Sequence, residues 1–315
     1  IWDLKSEAGE EAIRKLIAES DVFIHNVRAP AIARLGLSFE DVKAIKPDIV
    51  YVHCVGFGSD GPYAGRPAYD DLIQGLSGAA SLLPKVDGNP RPRFIPTAFA
   101  DKVSGLHAAY ATLAALHHRA RTGEAVHVEV PMFECITHFL LEEHFYEAVF
   151  DPPIGPFCYQ RQVDPSRQPL QTLDGYVVLA PYVDKRWVKL FETVNEAPHE
   201  LEDGRLYDYK GRYFNLDFML ERVQFFLLMK PSAHWLQACS DADIPAAPVN
   251  DFHDLQNDPH LKETGFFKRR QHPSEGDYWE PQPPVKFHGV ERAEIRPAAL
   301  PGQDTDLVLM ELGLS

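Results

Sequence analysis

Positive charge is scarce: 31 Lys and Arg face 46 Asp and Glu, a net charge of −15 over 315 residues. That balance gives no electrostatic footprint for nucleic acid or an anionic membrane surface. Cysteine is equally sparse, with Cys54, Cys135, Cys158 and Cys239 far apart and no two at metal-ligand spacing. This excludes a disulfide-stapled scaffold and reads as reduced thiols in a cytoplasmic protein. No apolar run approaches the ~18 residues of a membrane span, and no segment is repeated or of low complexity. The chain opens on Ile1 rather than methionine, and Ile1–Lys5 reads as the end of a strand entering a helix. Processing, or an upstream piece, is therefore expected.

What is present is alternation. Ser6 is a good cap for a helix over 7–19, with Ala8, Ala12, Ile13, Leu16 and Ile17 on one face. Short apolar strands follow at Asp21–Val27 and Asp48–Val55, with helical turns between, and a third at Ala125–Val130. Strands alternating with helices predict a parallel sheet covered on both faces, hence an α/β fold. Helices are predicted over 70–83 and 132–149. A proline-rich stretch, 151–168, marks a domain boundary. Beyond it come a turn and strand over 171–180, helices near 184–195, 215–230 and 231–242, and a strand-like segment at 244–249. Segments 260–270 and 285–290 are expected as strands of a small antiparallel sheet.

Gly56-Phe57-Gly58-Ser59-Asp60-Gly61 spells G-x-G-x-x-G after a strand. A dinucleotide fingerprint must open straight into a helix. Here Pro62, Gly65 and Pro67 follow, so a Gly/Pro loop at a strand end, and a ligand site, is the better expectation. On 132–149, His138 and Glu142 share a face, but His144 does not, and a metal needs three or four convergent ligands. No metal site is expected.

The richest stretch is Arg91–Arg121. An apolar, proline-punctuated lead (Phe94, Ile95, Pro96) reaches one acid, Asp101, and then a long helical pattern. Leu106, Ala109, Tyr110, Leu113, Ala114 and Leu116 recur at the spacing of a buried face. A basic cluster, His117–Arg121, and then Gly123 end it. Position alone leaves two roles for Asp101: an N-cap, or a nucleophilic carboxylate held ionised by helix-terminal amides. Phe57, Tyr63, Phe94 and Phe99 suit either an apolar, aromatic-lined site or a core.

Six segments in order, DLKSEAGEEAIRKLIAESDVFIHNV, GFGSDGPYAGRPAYDDLIQGLSG, FADKVSGLHAAYATLAALHHRARTGEAVHVEV, QTLDGYVVLA, IPAAPVNDFHDLQNDPHLKETGFF and PGQDTDLVLMELG, resemble the family III CoA-transferases over the whole length. That group includes formyl-CoA and carnitine CoA-transferases and α-methylacyl-CoA racemases. The resemblance implies a Rossmann-like large domain with a parallel sheet, a smaller α+β domain and an interlocked homodimer. It places the large CoA-binding domain at 1–155 with 291–315 returning to it, the small domain at 170–285, and linkers at 156–169 and 286–290. It implies about seventy further residues ahead of Ile1, carrying the first strand and helix of the large domain.

By the same resemblance Asp101 is the carboxylate that attacks acyl-CoA. Helix-terminal amides would steady it and the oxyanion. Lys5, Asn26, Val27 and Arg34 border the CoA nucleotide and pantetheine, where Lys and Arg suit phosphate. Tyr69 and Asp70 flank the reaction site. The implied substrates are an acyl-CoA and a small carboxylic acid, with CoA a substrate and no permanent cofactor. The racemase branch has a histidine where Tyr69 stands. Tyrosine, with an ordinary pKa of about 10, is a poor base, which favours acyl transfer over racemisation. The glycine-rich loop of some transferases has no counterpart over Tyr159–Gln171. The alternatives are a racemase, epimerase or CoA-ester lyase on the same fold, or a non-catalytic CoA-binding homologue.

Overall fold

A computed structural model describes residues 1–181, 183–193, 208–290 and 295–314. The chain divides into two compact units, Ile1–Pro165 with Ala299–Ser315, and Ser166–Ala298.

The first unit runs α1 (Glu7–Glu19), β1 (Val22–His25), α2 (Ala29–Arg34), α3 (Phe39–Ile45), β2 (Val50–Val55), α4 (Asp70–Leu76), α5 (Leu82–Asp87), α6 (Phe99–Thr122), β3 (Val126–Pro131) and α7 (Met132–His144). Its parallel sheet has the order β1-β2-β3, with Val22 opposite Val50 and Val50 opposite Val126. The Ser6 hydroxyl accepts from the Gly9 amide at 3.1 Å and sets the start of α1. A Ser38–Asp41 capping box starts α3. One core cluster packs α1 to α3 on the sheet through Ile17, Ile32, Val42 and Ile49. Another joins Val50, Val52 and Val130 to Ala108 and Ala115 of α6. A C-terminal helix, Thr305–Glu311, belongs to this unit, and the Ile1 amino group donates to the Thr305 hydroxyl.

Two expected helices are shorter than their patterns. The helix expected over 70–83 stops at Leu76, because Gly78 sits at φ +90° and turns the chain out of the helix. The helix expected over 132–149 stops at His144 and gives way to a 3-10 turn, Tyr146–Val149.

The second unit holds β4 (Leu170–Gln171), β5 (Tyr176–Leu179), α8 (Asp184–Thr193), α9 (Tyr209–Phe214), α10 (Leu216–Leu227), α11 (Ser232–Asp241) and β6 (Ala246–Pro248). The last two residues of the helix expected near 184–195, and 291–294 of the returning segment, lie outside the described residues. Strands β4, β5 and β6 form an antiparallel sheet packed on helices through Val177, Phe191, Met219, Leu227 and Trp235. After short helices α12 (Phe252–Leu255) and α13 (Pro259–Glu263) comes the hairpin of β7 (Phe267–His272) and β8 (Gly276–Pro281). Residues 285–290 are not a strand. The partner of β7 is the segment just across its turn, where Gly276 takes φ +82°.

Candidate functional site

Asp101 is the third residue of α6, not its cap. The cap position is Ala98, whose side chain can cap nothing. The capping group comes from thirty residues away: Asp70 Oδ1 accepts from the Ala100 amide at 2.7 Å and from the Asp101 amide at 3.1 Å. The Phe99 amide donates to Thr97 O at 2.7 Å, and the Lys102 amide to Ala98 O at 3.1 Å. The first-turn amides expected to steady Asp101 and an oxyanion are thus already taken, two by a carboxylate and two by carbonyls. The Asp101 carboxylate itself is exposed at this end of α6, where the helix dipole favours an anion.

Asp70 opens α4, and its neighbour Tyr69, 74% exposed, occupies the cap position. Asp70 Oδ2 accepts from Gln74 Nε2 at 2.6 Å, one helical turn along. Gln74 is fully buried, and its Oε1 accepts from the Ile95 amide at 2.8 Å. The amide group of Gln74 thereby ties α4 to the segment that leads into Asp101. Lys102 Nζ adds a bond to Thr97 Oγ1 at 2.7 Å. Phe57, Ile73, Ala100 and Ile136 pack as one cluster, so the starts of α4 and α6 sit beside the loop that leaves the carboxyl end of β2.

That loop is held by two carboxylates. Gly58 N donates to Glu134 Oε1 and Ser59 N to Glu129 Oε1, both at 2.9 Å. A dinucleotide loop offers such amides to a pyrophosphate; here acidic side chains occupy them. Phe57 is buried edge-on against Tyr63, with Phe99 against the same cluster, so these rings are core. Phe94 is half exposed.

Asn26 and Val27 follow β1 at the carboxyl end of the sheet, and both are exposed. A partly buried aromatic network fixes this strand end. His53 Nε2 donates to Val27 O at 2.9 Å, and the Val27 amide donates to His25 Nδ1 at 3.2 Å. The remaining His25 proton, on Nε2, goes to the Tyr51 oxygen at 2.7 Å, and Tyr51 donates to Leu37 O at 3.0 Å. Burial, with His53 stacked 4.4 Å away, lowers the pKa of His25 to about 4. Burial likewise raises Tyr51 to about 12 and lowers His127. Lys5 precedes α1 and Arg34 ends α2, both exposed. The structure joins Asp70 to the Asp101 backbone directly. It sets Asn26 and Val27 at a sheet edge, and gives Lys5 and Arg34 no bond to either acid.

Sequence reasoning missed Gln74, Glu129 and Glu134. Gln74 had a signal, its i,i+4 spacing from Asp70; the glutamates had none, because their partners are backbone amides 70 or more residues away. On α7, His138 Nδ1 lies 3.7 Å from Glu142 Oε1, and both are exposed. Among the described residues no group of three or more His, Cys, Asp or Glu could hold a metal. None of the described helices is long and apolar enough to cross a membrane.

The burial of α6 differs from its apolar pattern. Ala100, Ser104, Ala108 and Ala115 face inward. Leu106, Tyr110 and Leu113 are 69%, 58% and 67% exposed. Small residues let the helix lie close on the sheet, and the large ones form a row on its outer side.

Comparison with known proteins bears on the family and the fold. The chain is 28% identical over 267 residues to a succinate–glutarate CoA-transferase of Agrobacterium fabrum, covering 84% of this chain and 66% of that protein. It is 29% identical over 245 residues to a probable fatty acyl-CoA transferase of Mycobacterium tuberculosis, covering 75% of this chain and 61% of that one. The chain thus spans less than two thirds of the length of these relatives. The crystal structure of a CaiB/BaiF family protein from Brucella suis superposes with a TM-score of 0.80 at 27% identity, over 98% of this chain and 80% of that one. The family model for CoA-transferase family III matches residues 1–306, and the chain belongs to that family.

Proposed function

We propose that this protein transfers CoA from an acyl-CoA donor to a carboxylic acid acceptor, with Asp101 as the nucleophile. The observation that carries the proposal is the pairing at the start of α6. Asp70 takes the amides of Ala100 and Asp101, which leaves the Asp101 carboxylate exposed on a rigid element. An Asp101 oxygen attacks the thioester carbonyl, the C–S bond breaks, and CoA leaves as thiolate, giving a mixed anhydride. The thiolate then attacks the aspartyl carbonyl. The anhydride C–O bond breaks, the donor acid departs as carboxylate, and an aspartyl-CoA thioester remains. An acceptor carboxylate repeats the two steps in reverse, and Asp101 is regenerated as carboxylate. The proton count is unchanged throughout. Tyr69, next to Asp70 in sequence, is proposed to flank this carboxylate, and a phenol is a poor general base for removing an α-proton.

Lys5 and Arg34 are proposed to meet the CoA phosphates, and Asn26 and Val27 the pantetheine, at the carboxyl end of the sheet. The exposed row Leu106, Tyr110 and Leu113 is proposed to be covered by a second copy in an interlocked homodimer, since such a row is costly to leave in water. Free thiols at Cys54, Cys135, Cys158 and Cys239 fit a cytoplasmic location.

The test is steady-state CoA transfer between panels of acyl-CoAs and acids. Asp101→Asn is expected to abolish turnover while keeping CoA protection against heat, worth about 2.7 kcal/mol at a hundred times Kd. Turnover surviving in Asp101→Asn overturns the role of Asp101. CoA protection without turnover in the wild-type protein favours a binding homologue. Exchange of the α-proton favours a racemase.

A further inference from the structure

Gln74 is the largest polar side chain that α4 buries, and no step of the proposed reaction uses it. Its carboxamide is oriented without ambiguity by its surroundings. The oxygen accepts from the Ile95 amide at 2.8 Å. The nitrogen faces only acceptors: Asp70 Oδ2 at 2.6 Å, Thr97 O at 3.3 Å and Ile95 O at 3.4 Å. One side chain therefore holds both structures that determine where Asp101 lies. These are the carboxylate that caps α6 and the strap Ile95–Ala98 that enters it. The strap is folded by two tight bonds, Thr97 N to Ile95 O and Phe99 N to Thr97 O, each 2.7 Å. Only a group that both donates and accepts fits between a carboxylate and an amide; a carboxylate or an alkyl chain at this place meets like charge or leaves polar groups unpaired.

We propose that Gln74 is a positioning residue for the Asp101 nucleophile, acting through Asp70 and the Ile95–Ala98 strap. The proposal rests on Asp101 as nucleophile for its effect on rate, but not for its effect on the α6 end. A nucleophile displaced by about 1 Å loses on the order of 10²-fold in rate.

Gln74→Met keeps the volume and removes the donor and acceptor. It is expected to lower kcat by about 10²-fold, with KM for acyl-CoA within about threefold of wild type. Amide hydrogen exchange should speed up at residues 95–101 and stay unchanged over the rest of α6. Gln74→Glu supplies a second readout. Its ionised carboxylate repels Asp70, whereas its protonated form again donates to Asp70 and accepts from Ile95. The ratio of its kcat to that of wild type should therefore rise as pH falls from 8 to 5, in protein shown to be folded by circular dichroism.

Unchanged exchange at 95–101 in folded Gln74→Met overturns the proposal, as does faster exchange with wild-type kcat. If Gln74→Met fails to fold, a pH-independent ratio for Gln74→Glu overturns it instead. If wild-type protein forms no covalent adduct with any acyl-CoA, the nucleophile reading falls. Exchange alone then decides whether Gln74 holds the α6 end.

Discussion

Replacing Asp70 by alanine removes one carboxylate and with it three hydrogen bonds: to Ala100 N at 2.7 Å, Asp101 N at 3.1 Å and Gln74 Nε2 at 2.6 Å. Loss of a helix cap costs about 1–2 kcal/mol. Loss of negative charge beside a helix N-terminus adds about 0.3–1 kcal/mol. The freed Gln74 nitrogen keeps the carbonyls of Ile95 and Thr97 within reach, so its penalty is small. The sum is about 1.3–3 kcal/mol, equal to a midpoint shift of about 3–12 °C for a unit of this size. Asp70→Asn keeps a carbonyl for the two amides but turns its NH2 toward that of Gln74 and carries no charge. It should fall about midway. Differential scanning calorimetry, which resolves units that melt separately, measures both. The order wild type, Asp70→Asn, Asp70→Ala is expected. A midpoint for Asp70→Ala within 1 °C of wild type refutes the capping role.

The His25 network predicts acid sensitivity. With a folded pKa of about 4 and an ordinary value of about 6.5, the folded chain binds fewer protons than the unfolded chain between these limits. Stability is therefore full above about pH 6.5 and falls as pH drops toward 4. The loss is about 1–2 kcal/mol once partial solvent screening is allowed for. Urea melts at pH 7 and pH 5 should show a smaller difference in His25→Gln than in wild type; an equal difference removes the network from the account. Gly9 sits where an added Cβ would lie 2.0 Å from the Asp3 carbonyl oxygen. Gly9→Ala should therefore cost about 1–3 kcal/mol by forcing the Asp3–Ser6 turn apart, despite alanine's better helix propensity. A thermal midpoint at or above wild type would contradict that close approach.

Local chemistry made part of this fold legible. Ser6 sets the start of α1, and the β-branched runs 22–25, 50–55 and 126–130 set a parallel sheet that needs helical crossovers. What could not be read was decided over longer distances. The apolar row Leu106, Tyr110, Leu113 has the period of a buried face. Yet periodicity reports a face that avoids water, not whether the chain's own sheet or another surface covers it. The small residues Ala108 and Ala115 reach the sheet because the close approach favours short side chains. The sequence left Asp101 open as an N-cap, but it is the third residue of α6, and the capping carboxylate is Asp70, far off in sequence and brought there by the packing of α4 on α6. Glu129 and Glu134 hold a glycine loop through its amides, a pairing that leaves no mark in residue spacing. Gly78 shortens α4 through a left-handed turn that a run of small residues conceals.

The central claim is that Asp101 becomes acylated. The most direct test is intact-mass and peptide spectrometry after mixing the protein with acyl-CoAs and trapping with hydroxylamine or borohydride. The account predicts a mass change on the peptide that contains Asp101, absent in Asp101→Asn. A trapped adduct on another residue, or none with any donor in protein that CoA protects from heat, contradicts it.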